Sequence, residues 1–335
     1  MNSLGIARVD QAKGQPIEGV ELAFDWIFGN GLSSWLERLP VPYRVYDRPS
    51  TSDSTIIRWM QGVGKESAAL LRKNLELDFK QATQSSSESA RSIFIGGDHV
   101  VGISTVQASL QRHDDLGVIW VDAHADINTP ETSPTGNYHG MVVSELLGYS
   151  KNYQMLAISD RRYLNPKRMA YVGVRDIDPG EKKILDDMGI LVFSADCVRK
   201  FGIQNVFRKI RSQFESYGAR KVHLSFDIDS VDPEFAPSTG VCVKSGLTPS
   251  NIREIANILI EFNNWVAIDI VEFNPKIGTS KEVLATGNLI LSFLFAVTSG
   301  YSYQESWKWI QLTNPDHREQ YRDPQLGWNT QRKKI

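Results

Sequence analysis

Acidic and histidine side chains follow two apolar runs of this sequence at alternate positions. In IWVDAHAD they are Asp122, His124 and Asp126, and in VHLSFDID they are Asp227 and Asp229. Side chains two residues apart on a β-strand point to the same side. Each set is therefore expected to converge where its strand gives way to a loop, an arrangement typical of metal ligands.

Two further apolar runs end in His99, within GGDH (96–99), and in Glu272. Ionised carboxylates at the buried end of a sheet cost on the order of several kcal/mol each unless they are protonated, paired or bound to a metal. The neighbouring sequence offers few cations, although an acidic strand end can also cap the next helix. Asp232 stands before Pro233, which predicts a turn there rather than a ligand.

The two histidines and four aspartates form a set that is rich in oxygen, contains imidazole and lacks thiolate. Such ligands favour Mn²⁺, with Co²⁺, Ni²⁺ or Fe²⁺ as alternatives, over a structural zinc ion. Two divalent ions would balance the four negative charges, share carboxylates and generate a hydroxide nucleophile near neutral pH. The residue types therefore predict a two-metal hydrolase. The isolated His113 and His317 are predicted to be surface residues.

These residues lie on an alternating α/β pattern. The predicted strands are GIARV, YRVYD, SIFIGG, GVIWVDA, MAYVGV, ILVFSA, VHLSFDI and WVAIDIVEF, and helical patterns occur at 20–39 and at about 55–84. SSSESA (85–90) is predicted to be a surface connection, and LILSFLFAV (289–297) a buried helix. Continuously apolar strands indicate a parallel sheet covered on both faces, so the fold class is α/β, one three-layer α/β/α domain. Ligands then bind beyond the carboxyl ends of the strands.

The boundaries of the predicted domain follow from the same alternation of strands and helices. The predicted domain spans residues 1–300, and the polar tail 301–335 contains Trp307, Trp309 and Trp328. Indole rings are costly to leave in water, so this tail is expected to dock on the domain or on a neighbouring subunit.

The composition narrows the class of protein. With 335 residues, 41% of them hydrophobic, the chain can bury a large core. The net charge of −2 gives no reason to expect nucleic acid or an anionic membrane as a partner. The two cysteines do not suggest a disulfide framework, and the first residues lack the pattern of a secretory signal. The expected location is the cytoplasm, with an organelle as the open alternative.

Several blocks of the sequence resemble the ureohydrolase family and its arginase branch. They occur in the family's order: GGDH (96–99), WVDAHADINTP (120–130), TGNYHG (135–140), YVGVRDIDPGEKKIL (171–185), HLSFDIDSVDP (223–233) and DIVEFNP (269–275). GQPIEGVELA (14–23) resembles an N-terminal segment of arginases. The similarity runs from about residue 5 to 298, and it implies the α/β/α fold that arginases and deacetylases share.

The resemblance also implies a cofactor and its ligands. Arginases bind two Mn²⁺ ions bridged by hydroxide, which attacks the guanidinium carbon of L-arginine to give L-ornithine and urea. By matching motif, one ion would be bound by His99, Asp122, Asp126 and Asp227, and the other by His124 and Asp229 with Asp122 and Asp227 shared. Arginases are often trimers, so a homotrimer is the expected assembly.

The remaining roles are carried over from the same blocks. His139 corresponds to the proton carrier and Glu272 to the residue that binds the guanidinium, so that His139, Asp126 and Glu272 form the expected catalytic group. The α-carboxylate and α-amino end of the substrate would be bound by Asn128, Thr135, Asn137 and Asp178, with Glu181 close by.

The sequence departs from the family at the loop GVCVKSGLT (240–248). The family commonly has Thr-Pro and Gly-Gly there, whereas this chain has Val241, Cys242, Lys244 and Ser245; Val100 also replaces the usual Ser after GGDH. Loss of the threonine hydroxyl is predicted to weaken binding by about 1 kcal/mol or more. Two alternatives therefore stay open: a ureohydrolase for agmatine or a guanidino acid, and a metal-binding homologue with weak or lost activity.

Overall fold

The computed structural model describes residues 3–47, 65–149, 154–156 and 158–299. Within them, eight strands form one sheet: Leu4–Arg8 (β1), Tyr43–Tyr46 (β2), Arg91–Ile95 (β3), Leu116–Val121 (β4), Met169–Val174 (β5), Leu191–Ser194 (β6), Lys221–Asp227 (β7) and Trp265–Val271 (β8). The α-helices are Ala23–Ile27 (α1), Ser33–Leu36 (α2), Lys65–Glu88 (α3), Val101–Arg112 (α4), Val142–Leu146 (α5), Pro179–Met188 (α6), Ala195–Phe201 (α7), Ile203–Ser216 (α8), Pro249–Phe262 (α9) and Ser280–Ser299 (α10).

All neighbouring strands of the sheet pair in parallel, in the order β2-β1-β3-β8-β7-β4-β5-β6. The carboxyl ends of all eight strands therefore lie along one edge. The strands that end in the predicted metal ligands and in Glu272 are β3, β8, β7 and β4, which are adjacent in the sheet. The topology thus brings together four strand ends that are far apart in the sequence.

Helices cover both faces of the sheet. On β4, Ile119 and Val121 belong to a core that includes residues of α1, α8, α9 and α10. The intervening Val118 and Trp120 belong to a second core with residues of α4, α5 and α6. Because alternate strand residues are buried on opposite faces, the strands read as continuous apolar runs, and the predicted three-layer α/β/α fold is confirmed.

The serine-rich segment 85–90 was predicted to be a surface connection, and this prediction is wrong. Helix α3 continues to Glu88, and Ser85, Ser86 and Ser89 are buried. The Ser85 hydroxyl lies 2.9 Å from that of Ser92 on β3. Serine fits this position because the helix approaches the sheet closely there. The predicted start of this helix, near residue 55, lies outside the described residues.

Helix α10 contains the predicted buried run 289–297. It is the one helix in the described part of the chain that is long and apolar enough to cross a membrane, and 78% of its most apolar window is buried. Its residues contribute Leu289, Phe293 and Val297 to the core, so it is a core helix and the prediction is confirmed. The tail 301–335, with its three tryptophans, lies outside the described residues.

Candidate metal centre and active site

The residues predicted to bind metal converge at the carboxyl edge of the sheet. Nδ1 of His99 lies 2.9 Å from Asp122 Oδ2, 3.0 Å from Asp126 Oδ2 and 3.2 Å from Asp227 Oδ2. Despite these distances, this nitrogen makes no hydrogen bond of acceptable geometry with a described residue. A buried imidazole nitrogen that faces three carboxylates in this way is suited to a shared cation.

A second group adjoins the first. Nδ1 of His124 lies 3.0 Å from Asp229 Oδ2 and 3.5 Å from Asp122 Oδ1. The groups His99–Asp122–Asp227 and Asp122–His124–Asp229 each have ligand atoms within 4.8 Å of one another. Asp122 belongs to both groups and presents one oxygen to each histidine. The donor set therefore fits two neighbouring divalent ions that share a carboxylate.

Burial and mutual repulsion govern the ionisation of these carboxylates. Burial, followed by the charge of Asp122, raises the pKa of Asp126 to about 6. Burial and the nearby Asp229 likewise raise the pKa of Asp227 well above its usual value. For Asp122, the contacts with His124 and His99 outweigh burial and lower the pKa. Closely spaced buried carboxylates are best stabilised by positive charge, which is what a metal ion provides.

A series of buried polar side chains supports His99 from behind. Its ring stacks on Trp120, with ring centroids 4.0 Å apart. Its Nε2 lies 2.9 Å from the hydroxyl of Ser225, which donates to Asp269 at 3.1 Å. Asp269 also lies 2.9 Å from Nε2 of His223. Such partners fix the orientation of a ligating histidine, so that Nδ1 faces the carboxylates.

Sequence reasoning missed this supporting series. One signal was present, because His223, Ser225 and Asp227 stand at alternate positions of β7 and therefore share a side of the strand. The other half of the series could not be read from the sequence, since Ser225 meets Asp269 only through the pairing of β7 with β8.

Two site residues adopt a left-handed backbone conformation. The φ angles are 51° at Asp126 and 61° at Glu272. Such conformations cost non-glycine residues on the order of 1–3 kcal/mol and tend to occur at functional sites. Surrounding hydrogen bonds hold both: the Asp126 carbonyl accepts from Val143, and the Glu272 amide donates to Gly97. The fold therefore retains this strain where the two carboxylates must be aimed.

His139 and Glu272 form a pair beside the metal ligands. Their Nδ1 and Oε1 atoms are 3.0 Å apart, and Oε1 also accepts a hydrogen bond from the His99 amide at 2.9 Å. Burial opposes the charged form of His139, but Glu272 and the neighbouring carboxylates outweigh it and raise its pKa to about 9. The imidazole is 19% exposed, so it can exchange protons with solvent or a ligand.

The residues predicted to bind the α-carboxylate and α-amino end of the substrate fall into two groups. Asn128 donates to Asp178 at 2.9 Å. Glu181 accepts from the amides of Ile127 and Asp178 at 3.1 and 3.0 Å, which ties α6 to the loop after β4. In the second group, the exposed Thr135 accepts from the Asn137 amide at 3.2 Å. No hydrogen bond between described residues joins these two groups.

Asp232 and His113, which were predicted to lie outside the site, belong to neither ligand group. Asp232 forms the expected turn, since its side chain accepts from the Glu234 amide at 2.9 Å and its carbonyl from Phe235. His113 is half-buried at the end of α4 and takes part in neither ligand group. His317 lies outside the described residues.

The comparisons with known proteins agree with this geometry. The sequence model of the arginase family matches residues 55–296. The arginase of Schizosaccharomyces pombe is 35% identical over 295 residues, which is 88% of this chain and 91% of that protein. Human arginase-1 is 35% identical over 93% of this chain and 98% of its own length. The structure of Entamoeba histolytica arginase in complex with L-ornithine superposes with a TM-score of 0.77 at 30% identity, covering 89% of this chain and 99% of that one.

Proposed function

The chain belongs to the arginase family of hydrolases, and we propose that it cleaves the guanidinium group of L-arginine to give L-ornithine and urea, with two Mn²⁺ ions as cofactor. The observation that carries the proposal is the pair of ligand groups that share Asp122. The Entamoeba histolytica relative, whose structure contains L-ornithine, supports the choice of substrate.

In this proposal, six side chains hold the cofactor. One ion would be held by His99, Asp122, Asp126 and Asp227, and the other by His124, Asp229, Asp122 and Asp227. Bound divalent ions supply positive charge and acidify water, so that a nucleophile is available near neutral pH. The mixture of carboxylates and imidazoles without thiolate supports Mn²⁺. The role of the chain is to hold these ligands at fixed distances at the ends of β3, β4 and β7.

Glu272 and His139 act on the guanidinium group. Oε1 of Glu272 is engaged by His99 and His139, while Oε2 accepts no hydrogen bond from a described residue and is available to a guanidinium N–H. His139 lies in direct contact with Glu272, so a substrate held there would have its departing amine next to the imidazole. His139 then delivers the proton that the leaving amine needs.

The other end of the substrate is recognised by the loop after β4 and the start of α6. Asp178 is the proposed partner of the α-ammonium group, and Asn128, Thr135 and Asn137 are the proposed partners of the α-carboxylate. Both carboxylate oxygens of Glu181 accept backbone hydrogen bonds. Its proposed contribution is therefore to fix the position of Asp178 relative to the backbone of residues 127–128.

A second candidate is a ureohydrolase for agmatine or a guanidino acid. It is favoured by the loop 240–248, where Val241 is 40% exposed and replaces the threonine common in the family. An altered loop can change substrate preference without touching the metal ligands.

The test measures urea release by the full-length, Mn²⁺-loaded protein from L-arginine and from agmatine. We expect kcat/KM to favour arginine by at least about 100-fold, because hydrogen bonds to the carboxylate are each worth about 1.5–3 kcal/mol. A His139→Asn variant should keep its bound metal but lose about 100-fold or more in kcat. A preference for agmatine would establish the second candidate. Bound metal without urea from any guanidino compound would indicate a homologue that has lost activity.

A further inference from the structure

Arg175 occupies an unusual position beside the metal ligands. It directly follows β5 at the carboxyl edge of the sheet, and its side chain is partly buried. Among the described residues, its side-chain hydrogen bonds do not go to carboxylates. Instead, all three guanidinium nitrogens donate to backbone carbonyls.

These carbonyls belong to three separate segments. In the turn after β7, Nη2 donates to Asp229 at 2.8 Å and Nη1 to Ser230 at 3.0 Å. In the loop 240–248, Nη2 donates to Val243 at 2.6 Å and Nε to Lys244 at 3.1 Å. Nη1 also reaches the carbonyl of Gly173 at the end of β5, at 3.2 Å. One side chain therefore links two segments. The first is the turn that carries Asp229, and the second is the loop in which this sequence departs from its relatives.

Other contacts among the described residues also hold the loop. Leu247 exchanges two backbone hydrogen bonds of 2.9 Å with Ser230 and Asp232, and the Gly246 amide donates to the Asp232 side chain at 3.0 Å. Arg199 donates to the Ser245 carbonyl at 2.7 Å. Val241, Lys244 and Ser245 are exposed, and Ser245 has a φ of 65°, which is strained for a serine. A loop with exposed side chains and strained backbone keeps one conformation only where other groups hold it.

We propose that Arg175 is a positioning residue that couples the conformation of the loop 240–248 to that of the turn 227–231. The planar guanidinium suits this task, because its five N–H donors have a fixed geometry and can serve several carbonyls at once. A lysine at the same place would keep the charge but could not reproduce the pattern. The inference rests on the proposed function only where it treats Asp227 and Asp229 as metal ligands.

The coupling connects the loop 240–248 to both metal affinity and substrate binding. A change in the loop is transmitted through Arg175 to the carbonyls next to Asp229, and a change in the turn is transmitted back to Val243 and Lys244. Substitutions in the loop are thus expected to alter metal affinity as well as substrate binding, although no loop residue belongs to either ligand group.

The chain offers a matched control at the opposite end of the same strand. Arg168 immediately precedes β5 and donates to the carbonyls of Tyr217 at 2.8 Å and Asp114 at 2.6 Å. It joins two connections in the same manner, but at the amino edge of the sheet, away from the ligand groups. A substitution there removes two hydrogen bonds of the same kind without touching the turn or the loop.

The experiment compares Arg175→Gln, Arg175→Lys and Arg168→Gln with the unchanged full-length, Mn²⁺-loaded protein. Hydrogen exchange is followed at the amides of Leu247 and Asp232, and Mn²⁺ affinity is measured by competition with a chelator. Neither readout requires turnover.

We expect Arg175→Gln to speed exchange at both amides by about tenfold or more and to weaken Mn²⁺ binding by roughly 10–100-fold, as is common when support of metal ligands is lost. Arg175→Lys should restore part of the affinity but little of the protection, and Arg168→Gln should change neither.

Unchanged exchange at Leu247 and Asp232 in Arg175→Gln would overturn the proposal, even if Mn²⁺ affinity fell, because the arginine would then act through its charge alone. Equal loosening of these amides in Arg168→Gln would also overturn it. Failure of the proposed function would look different, since a protein that released no urea from L-arginine could still show the loss of protection in Arg175→Gln.

Discussion

The metal-ligand end and the substrate end of this site are built in different ways. The metal ligands stand at or just after the ends of three strands, β3, β4 and β7, and His99, Asp122, Asp227 and Asp229 are at most 3% exposed. The residues proposed to meet the rest of the substrate lie on loops, where Thr135 is exposed and Val241 is 40% exposed. A buried sheet edge fixes positions through many contacts, whereas a loop depends on a few hydrogen bonds. The metal end is therefore expected to tolerate less change than the substrate end.

The largest effect is expected from Asp122→Asn. This residue belongs to both ligand groups, so the change weakens both ion sites at once. We expect loss of bound Mn²⁺ and a fall in kcat of at least about 1000-fold, because the proposed reaction depends on water acidified by metal. Metal content and urea release are measured on the same preparation.

Asp186→Asn is the control for this change, since Asp186 is an exposed aspartate of α6 that belongs to neither ligand group. It should keep its bound metal. If Asp122→Asn retained both ions and full turnover, the shared carboxylate would not be the centre of the site.

A smaller effect on the same end is expected from Ser225→Ala. The hydroxyl joins His99 to the buried Asp269, so its loss leaves the imidazole less firmly oriented. Mn²⁺ affinity should fall by roughly 10–100-fold. Ser109→Ala, which removes a partner of His223 one step further away, should have the lesser effect. Equal losses in the two variants would indicate general destabilisation, which thermal unfolding of the metal-free proteins would reveal.

At the substrate end, Thr135→Val is expected to raise KM for L-arginine by about tenfold, because a hydrogen bond to a charged group is worth about 1.5–3 kcal/mol. Bound Mn²⁺ should stay the same. Agmatine provides the internal control, since it lacks the carboxylate and its KM should not change. A loss of metal in this variant would mean that the two ends are not separable.

The smallest effect is expected from Val241→Thr, which restores the hydroxyl that the family commonly has. One additional hydrogen bond contributes about 0.5–1.5 kcal/mol, so kcat/KM for L-arginine should rise by roughly 2–10-fold. Cys242→Ser in the same loop serves as a control for the mere presence of a new hydroxyl. A fall in kcat/KM for Val241→Thr would show that valine is suited to a different substrate.

The contrast between the two ends also explains what could be predicted from the sequence. The spacing of Asp122, His124 and Asp126 follows from the period of a strand, and parallel strands necessarily bring their carboxyl ends together. The arrangement of ligands was thus accessible without coordinates. The supporting partner Asp269 was not, because it meets Ser225 only through strand pairing.

Other features depend on tertiary contacts that leave no local pattern. Arg175 looks like any arginine after a strand, and its role emerges only where the loop 240–248 returns to the turn after β7. The prediction of a surface connection at 85–90 was wrong because it relied on the preference of serine for loops. Packing of these serines against β3 instead lets helix α3 continue to Glu88. In each case the packing of distant segments outweighed local sequence preference.

The most direct test of a two-metal centre at the ends of these strands is a titration of metal-depleted, full-length protein with Mn²⁺, in which bound metal and urea release from L-arginine are measured together. The structure predicts no urea without metal and an activity that rises to its maximum as two ions bind per chain. Urea release by the metal-free protein, or two tightly bound ions without urea release, would contradict this account.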